Sequence, residues 1–289
     1  MRVHPKSTEL FVRENGDTDY SKELAEVLSP YAKQFFNAFL PVVDVVVSTV
    51  IPKTLEALSR LPEDWPARFN QLATLSTRSK QAMQLALDRG WFFGWHVSLR
   101  EVLTLVKAIE DLEPGDLDAY MADYFRESLN AFACALIEKY PDREKPISAA
   151  VHAHQELGDD GYLLSIPVFI AQADGICAEW LGIEQPLSKS KGPGASIRAA
   201  THAQQVIQGD SHSAELLHPL FELHNSDFLK GSKQRGAGTF DALNRHQVMH
   251  GETSDYGSEV NSLKAFSFLV FVGLHLPSVL ERNSASSHP

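Results

Sequence analysis

Among the twelve histidines of this 289-residue chain, His246 and His250 stand four residues apart, directly after Arg245. Histidine titrates near neutral pH and can give or take a proton. Arginine stays charged and offers a planar fork of donors that fits phosphate oxygens. The run Arg245-His246-Gln247-Val248-Met249-His250 therefore carries two kinds of chemistry. The first is metal binding, since an i, i+4 histidine pair shares one helix face, as in the H-E-x-x-H zinc hydrolases. Here Gln247 stands where those enzymes hold a glutamate, and an amide cannot take a proton from metal-bound water. A third ligand from Glu252, His224 or His275 has no spacing signature, so no metal and no cofactor is expected.

The second chemistry needs no metal. In RNA the neighbouring 2′-hydroxyl can attack phosphorus if one group removes its proton and another protonates the departing 5′-oxygen. A cation must also stabilise the charge that builds on phosphorus. His250 suits a proton transfer, Arg245 suits the phosphate, and His246 is a second proton-transfer or orienting group. On a straight helix, residues five apart point about 140° from each other. Arg245 and His250 therefore converge only if the last turn unwinds near Gly251 or a second chain contributes.

The elements that must position these residues are helices. Asp116–Tyr140 places Leu117, Met121, Phe125, Leu129, Phe132 and Leu136 on one face, the spacing of an amphipathic helix. Ser98–Leu112 repeats the pattern and stops at Glu113-Pro114-Gly115. Further helices are predicted over Pro66–Arg89, Ile147–Leu157, Tyr162–Leu181, Ile197–Gln208, Ser213–Leu229 and Val260–Leu280. The β-branched run Val42–Ile51 is read as a buried helix. The motif helix is expected to start near Thr239 as N-cap and to stop with Gly251 at C′. Pro141–Pro146, charged between two prolines, marks the expected boundary between an N-terminal helical region, 1–140, and a second helical domain, 147–282. The fold class is all-α, a helical bundle.

With these placements, Arg245, His246 and His250 resemble the signature of the HEPN superfamily, helical-bundle proteins of toxin–antitoxin, phage-defence and RNA-processing systems. That signature is an arginine, four to six residues, then a histidine, with a polar residue commonly next to the arginine. The resemblance covers at most residues 147–282, where a helix precedes the motif and an apolar helix follows it. It implies a metal-independent endoribonuclease with an RNA substrate. It also implies a homodimer with one composite site, and an antitoxin or defence partner. The alternative is a non-catalytic helical scaffold or RNA-binding protein in such a complex.

Composition sets the remaining bounds. The net charge of −11 argues against a protein that coats nucleic acid. From Leu187 to Arg245, however, seven basic residues face five acidic ones, which leaves −13 for the rest. Cys134 and Cys177 lie in apolar segments and are expected to be buried free thiols. The first residues lack a signal-peptide pattern, and the apolar stretches Phe35–Pro52 and Ala265–Leu280 are each interrupted by polar residues and proline. A cytoplasmic protein without a membrane span is expected. Other chemistry-bearing residues have plainer roles. Trp91-Phe92-Phe93-Gly94-Trp95 is read as core rather than a base-stacking platform, and the His152, His154 pair faces two ways on a helix.

Overall fold

The computed structural model describes residues 74–113, 115–190, 196–230 and 242–286, with side chains to 281. Val42–Ile51, Thr239 and the stretch Phe35–Pro52 lie outside them. Thr74 onward forms one compact unit. The described residues are helical, and their only β-type pairing is an isolated bridge between Lys189 and Ile197. The all-α class holds.

The longer helices follow from sequence pattern and capping. Helix α1 is Leu75–Asp88, α2 is Leu99–Asp111 and α3 is Leu117–Lys139. Ser98 caps α2 by accepting from the Glu101 N–H at 3.3 Å. The apolar stripe of α3 is the buried one, from Leu117 through Phe125 to Leu136. Cys134 projects from the other face and is exposed, so only Cys177 is a buried thiol. Apolar neighbours in sequence did not keep Cys134 inside, because on a helix adjacent residues point about 100° apart.

The expected boundary at Pro141–Pro146 is a single 3₁₀ turn, Pro141–Arg143, running into α4, Glu144–Glu156. Arg143 reaches onto the next helix, donating to Gln172 at 2.9 Å and to Glu179 at 2.9 Å. Helices before and after this turn share one core, so it does not divide residues 74–140 from 147–282. Helix α5, Gly158–Leu181, follows after only Leu157 and folds back on α4. Gly158 makes the reversal at φ +56, so Asp159 and Asp160 already belong to the first turn of α5. Acidic residues there suit the positive end of the helix. The crossing is so close that a Cβ at Gly161 would strike the Ala153 carbonyl.

Three shorter helices come next: α6, Arg198–Ile207; α7, Ser211–Leu216; and α8, His218–Glu222, continued by a 3₁₀ turn at Leu223–Asn225. The single helix predicted over Ser213–Leu229 is broken at Leu217, where Pro219 follows within the next turn. The motif helix α9 is Arg245–Met249, and α10, Glu259–Val270, runs through a π-helical stretch, Phe271–His275, into α11, Leu276–Ser286.

This last rod is the axis of the fold. Leu263, Phe266, Phe268, Leu269, Val272, Leu276 and Leu280 are fully buried, with α3 and α5 packed around α10 and α6 against α11. Burying each such side chain contributes roughly 1.5–3 kcal/mol. Both α5 and the stretch Glu259–Glu281 are long and apolar enough to cross a membrane. The second has 89% of its apolar window buried within the protein and the first 44%.

The Trp91–Trp95 run crosses this axis as core, each aromatic at most 8% exposed. The Phe92 ring lies 4.9 Å from Phe268, 6.0 Å from Phe271 and 5.5 Å from Phe228. In the π-helical stretch, His275 accepts from the Trp95 N–H at 2.9 Å through Nδ1 and donates from Nε2 to the Leu216 carbonyl at 3.0 Å.

Candidate functional site

Helix α9 is one turn long, far below the length at which a helix holds itself together in water. It is held by its neighbours. Asn244, fully buried, accepts from the Gln247 N–H at 3.0 Å as N-cap. Its amide nitrogen donates to the Asp227 carbonyl at 2.5 Å and the Lys230 carbonyl at 2.9 Å. The Arg245 N–H donates to the Phe228 carbonyl at 2.9 Å, and the Phe228 ring packs on Phe268 with centroids 4.7 Å apart. The motif is thus anchored to the aromatic core through Phe228. At the other end Gly251 takes φ +67, the left-handed C′ position expected of it, and the Glu252 N–H closes onto the Gln247 carbonyl at 2.8 Å.

The three motif side chains take different surroundings. Arg245 donates from Nη2 to Asp174 of α5 at 2.7 Å, with the arginine side chain 18% exposed and the carboxylate 29%. This one contact leaves Arg245 Nε and Asp174 Oδ1 buried without a hydrogen-bond partner among the described residues. His246 lines a cleft. His250 is exposed, its ring nearly parallel to that of His246 (9°) with centroids 5.9 Å apart. No hydrogen bond or ion pair joins Arg245 to His250 among the described residues, in keeping with their divergence on one helical turn. Burial pushes the His246 imidazole below its ordinary range, and Arg245, His250 and Lys189 push the same way, while Glu252 opposes them. These influences favour the neutral ring, the form that accepts a proton.

The cleft has a volume of about 240 Å³ and is lined by Leu187, Ser188, Lys189, Ile197, His224, Leu229 and His246. These come from three separate stretches of chain. The Lys189–Ile197 bridge, with the Ser190 N–H donating to the Ser196 carbonyl at 2.8 Å, holds the first pair side by side. His224 sits in the 3₁₀ turn after α8, with Nδ1 3.0 Å from the Phe221 carbonyl. A carbonyl only accepts, so Nδ1 carries the proton and Nε2 is left as the other polar atom of the ring.

Asp174 and Lys189 were not legible as members of a site, and His224 entered only as a candidate third metal ligand. Asp174 had one usable signal: a lone carboxylate among Phe169, Ile170, Ala173, Ile176 and Cys177 calls for a cationic partner.

Other candidate chemistry closes on itself. His154, Ser262 and Ser165 form a buried chain, 2.8 Å from His154 Nδ1 to Ser262 Oγ and 2.7 Å from Ser262 Oγ to Ser165 Oγ. Ser165 donates onward to the Tyr162 carbonyl at 3.3 Å, so Ser262 donates to Ser165 and accepts from the imidazole. The proton runs the wrong way for a serine nucleophile, and the chain ties α4, α5 and α10 together instead. His152 is exposed on the opposite side of α4. Burial pushes the Cys177 thiol up to about 12, with Asp174 adding to the shift, which removes it as a thiolate. Among the described residues no group of three His, Cys, Asp or Glu side chains gathers to hold a metal ion.

Comparison with family models, with curated proteins and with solved structures returned no match.

Proposed function

We propose that this chain is a metal-independent endoribonuclease of HEPN type, working in a toxin–antitoxin or phage-defence setting in the cytoplasm. The observation that carries the reading is the place of His246. It is a half-buried imidazole next to Arg245, at the edge of a cleft, with a second imidazole against it. In this reading His246 takes the proton of the RNA 2′-hydroxyl. The 2′-oxygen forms a bond to phosphorus, the bond from phosphorus to the 5′-oxygen breaks, and His250 gives its proton to that leaving oxygen. The products are a 2′,3′-cyclic phosphate and a free 5′-hydroxyl. Arg245 steadies the extra charge on phosphorus, and Asp174 orients its guanidinium. A homodimer belongs to the proposal, because His250 and Met249 (40% exposed) leave the end of α9 open to a second chain.

The test is incubation of the full chain with total RNA in EDTA, beside an Arg245→Ala/His250→Ala double variant. Cyclic-phosphate ends from the first alone support the reading, and sedimentation of the same sample reports the dimer. No cleavage by the wild type removes it. The Arg245–Asp174 ion pair favours one other reading, a non-catalytic scaffold in which Arg245 fastens α9 to α5. In that case Arg245→Ala lowers the melting temperature and neither protein cuts RNA.

A further inference from the structure

We infer that the cleft of Lys189, His224 and His246 is a subsite for a single nucleotide, with its phosphate held among those three side chains. The inference rests on the nuclease reading only for the choice of a nucleotide. The anion preference comes from the lining itself.

Among the described residues the polar lining groups are a lysine, two imidazoles and Ser188, with no carboxylate. Lys189 makes no ion pair among the described residues, so its charge is not already neutralised. Its backbone is fixed by the bridge to Ile197, which places the ammonium within reach of the cleft it lines. His224 spends Nδ1–H on the Phe221 carbonyl, which leaves Nε2 as its one polar atom for a ligand. His246 makes no hydrogen bond through its ring among the described residues, which leaves its ring nitrogens for a ligand in the cleft it lines. Ile197 is also the N-cap residue of α6, a ten-residue helix whose cap makes no side-chain hydrogen bond, so the positive end of that helix borders the cleft. Lys189 supplies one fixed cation, and an imidazole that takes up a proton as the dianion arrives adds a donor, His224 through Nε2; such a set matches a phosphate, with three outer oxygens, better than a carboxylate with two.

The rest of the lining is apolar. Leu187, Ile197 and Leu229 are 3%, 1% and 5% exposed and form a firm wall for a sugar or base face. At about 240 Å³ the cleft is smaller than the roughly 300–1,000 Å³ of drug-sized sites, which suits one nucleotide unit and not a stacked pair. His224 lies more than twenty residues before the motif and becomes, on this reading, its second imidazole at the phosphate.

The experiment is calorimetric titration of the full chain with cytidine 3′-monophosphate, with inorganic phosphate and with cytidine. The monophosphate is expected to bind saturably, phosphate more weakly and cytidine not at all. Lys189→Ala and His224→Asn should each weaken the monophosphate about tenfold, the loss of one charge-assisted hydrogen bond. His152→Asn, exposed on α4, should change nothing. Lys189 is exposed, so its variant folds and keeps the test open even if His224→Asn does not. Absence of saturable binding, or binding indifferent to Lys189→Ala, overturns the inference. Equal affinity for phosphate alone reduces the site to an anion pocket and also overturns it. A chain that binds the monophosphate but cuts no RNA defeats the nuclease reading and keeps the subsite. A chain that cuts RNA without binding the monophosphate does the reverse.

Discussion

Two histidines of the core and two of the motif are built on opposite principles. His275 and His154 sit in the core with defined hydrogen bonds: a peptide N–H and a carbonyl for the first, a serine chain for the second. His246 and His250 have no hydrogen bond to either ring among the described residues, and His224 has one. A buried polar group costs free energy unless it is paired, so satisfied valences mark a part that holds structure. Spare valences at a cleft mark a part left for something else. Chemistry-bearing residue types are therefore a poor guide here until their partners are counted.

The largest effect should come from removing a core histidine. His275→Leu strands the Trp95 N–H and the Leu216 carbonyl in a fully buried place, and chemical denaturation should show a loss of about 3 kcal/mol. A loss under about 1 kcal/mol would break the contrast.

A smaller loss is expected at the buried charge. Lys264, 7% exposed, pairs with Asp118 at 3.0 Å and lies 5.5 Å over the Trp91 ring, whose N–H donates to the same carboxylate at 2.7 Å. Burial pulls the Lys264 ammonium below its ordinary range, and Asp118 holds it back. Asp118→Asn should cost about 2 kcal/mol, less than for a fully enclosed pair because the carboxylate side chain is 36% exposed. Adding Lys264→Met should recover most of it.

The pH dependence tests a histidine outside this contrast. Both ring nitrogens of His96 are buried without a hydrogen-bond partner among the described residues, and burial with the nearby His275 pushes its imidazole down to about 3. The unfolded chain takes up this proton near pH 6.5 and the folded one does not. Stability from this group is complete above pH 6.5 and falls by about 1.4 kcal/mol per pH unit from there toward pH 3. His96→Phe, which keeps the edge contact with Phe132, should remove that slope from denaturation curves measured between pH 4 and 6.

The smallest effects belong to the motif. His246→Ala and His250→Ala should each leave the unfolding free energy within about 0.5 kcal/mol of wild type, while the RNA assay changes. Losses as large as that of His275→Leu would make the motif another structural element.

Much of the helical fold was legible. α2, α3 and the rod from Glu259 were plain from periodicity and from the stops around them. Two errors share a cause, which is that one residue can do the work of a loop. Gly158 turns the chain alone, so α5 begins before the expected Tyr162, and Pro219 helps break what reads as one helix. The motif helix is shorter than expected and starts at Arg245 behind Asn244, because the cap that defines it is satisfied by carbonyls of Asp227 and Lys230 far back in sequence. The cleft was hidden for the same reason. Lys189, His224 and His246 have no spacing in common, and only tertiary packing brings them together.

The cap of the motif helix carries a consequence for how such a chain can change over time. Asn244 holds α9 by its amide nitrogen and caps it by its amide oxygen, so a lineage that replaces this one residue loses the start of the helix and its anchor in a single step.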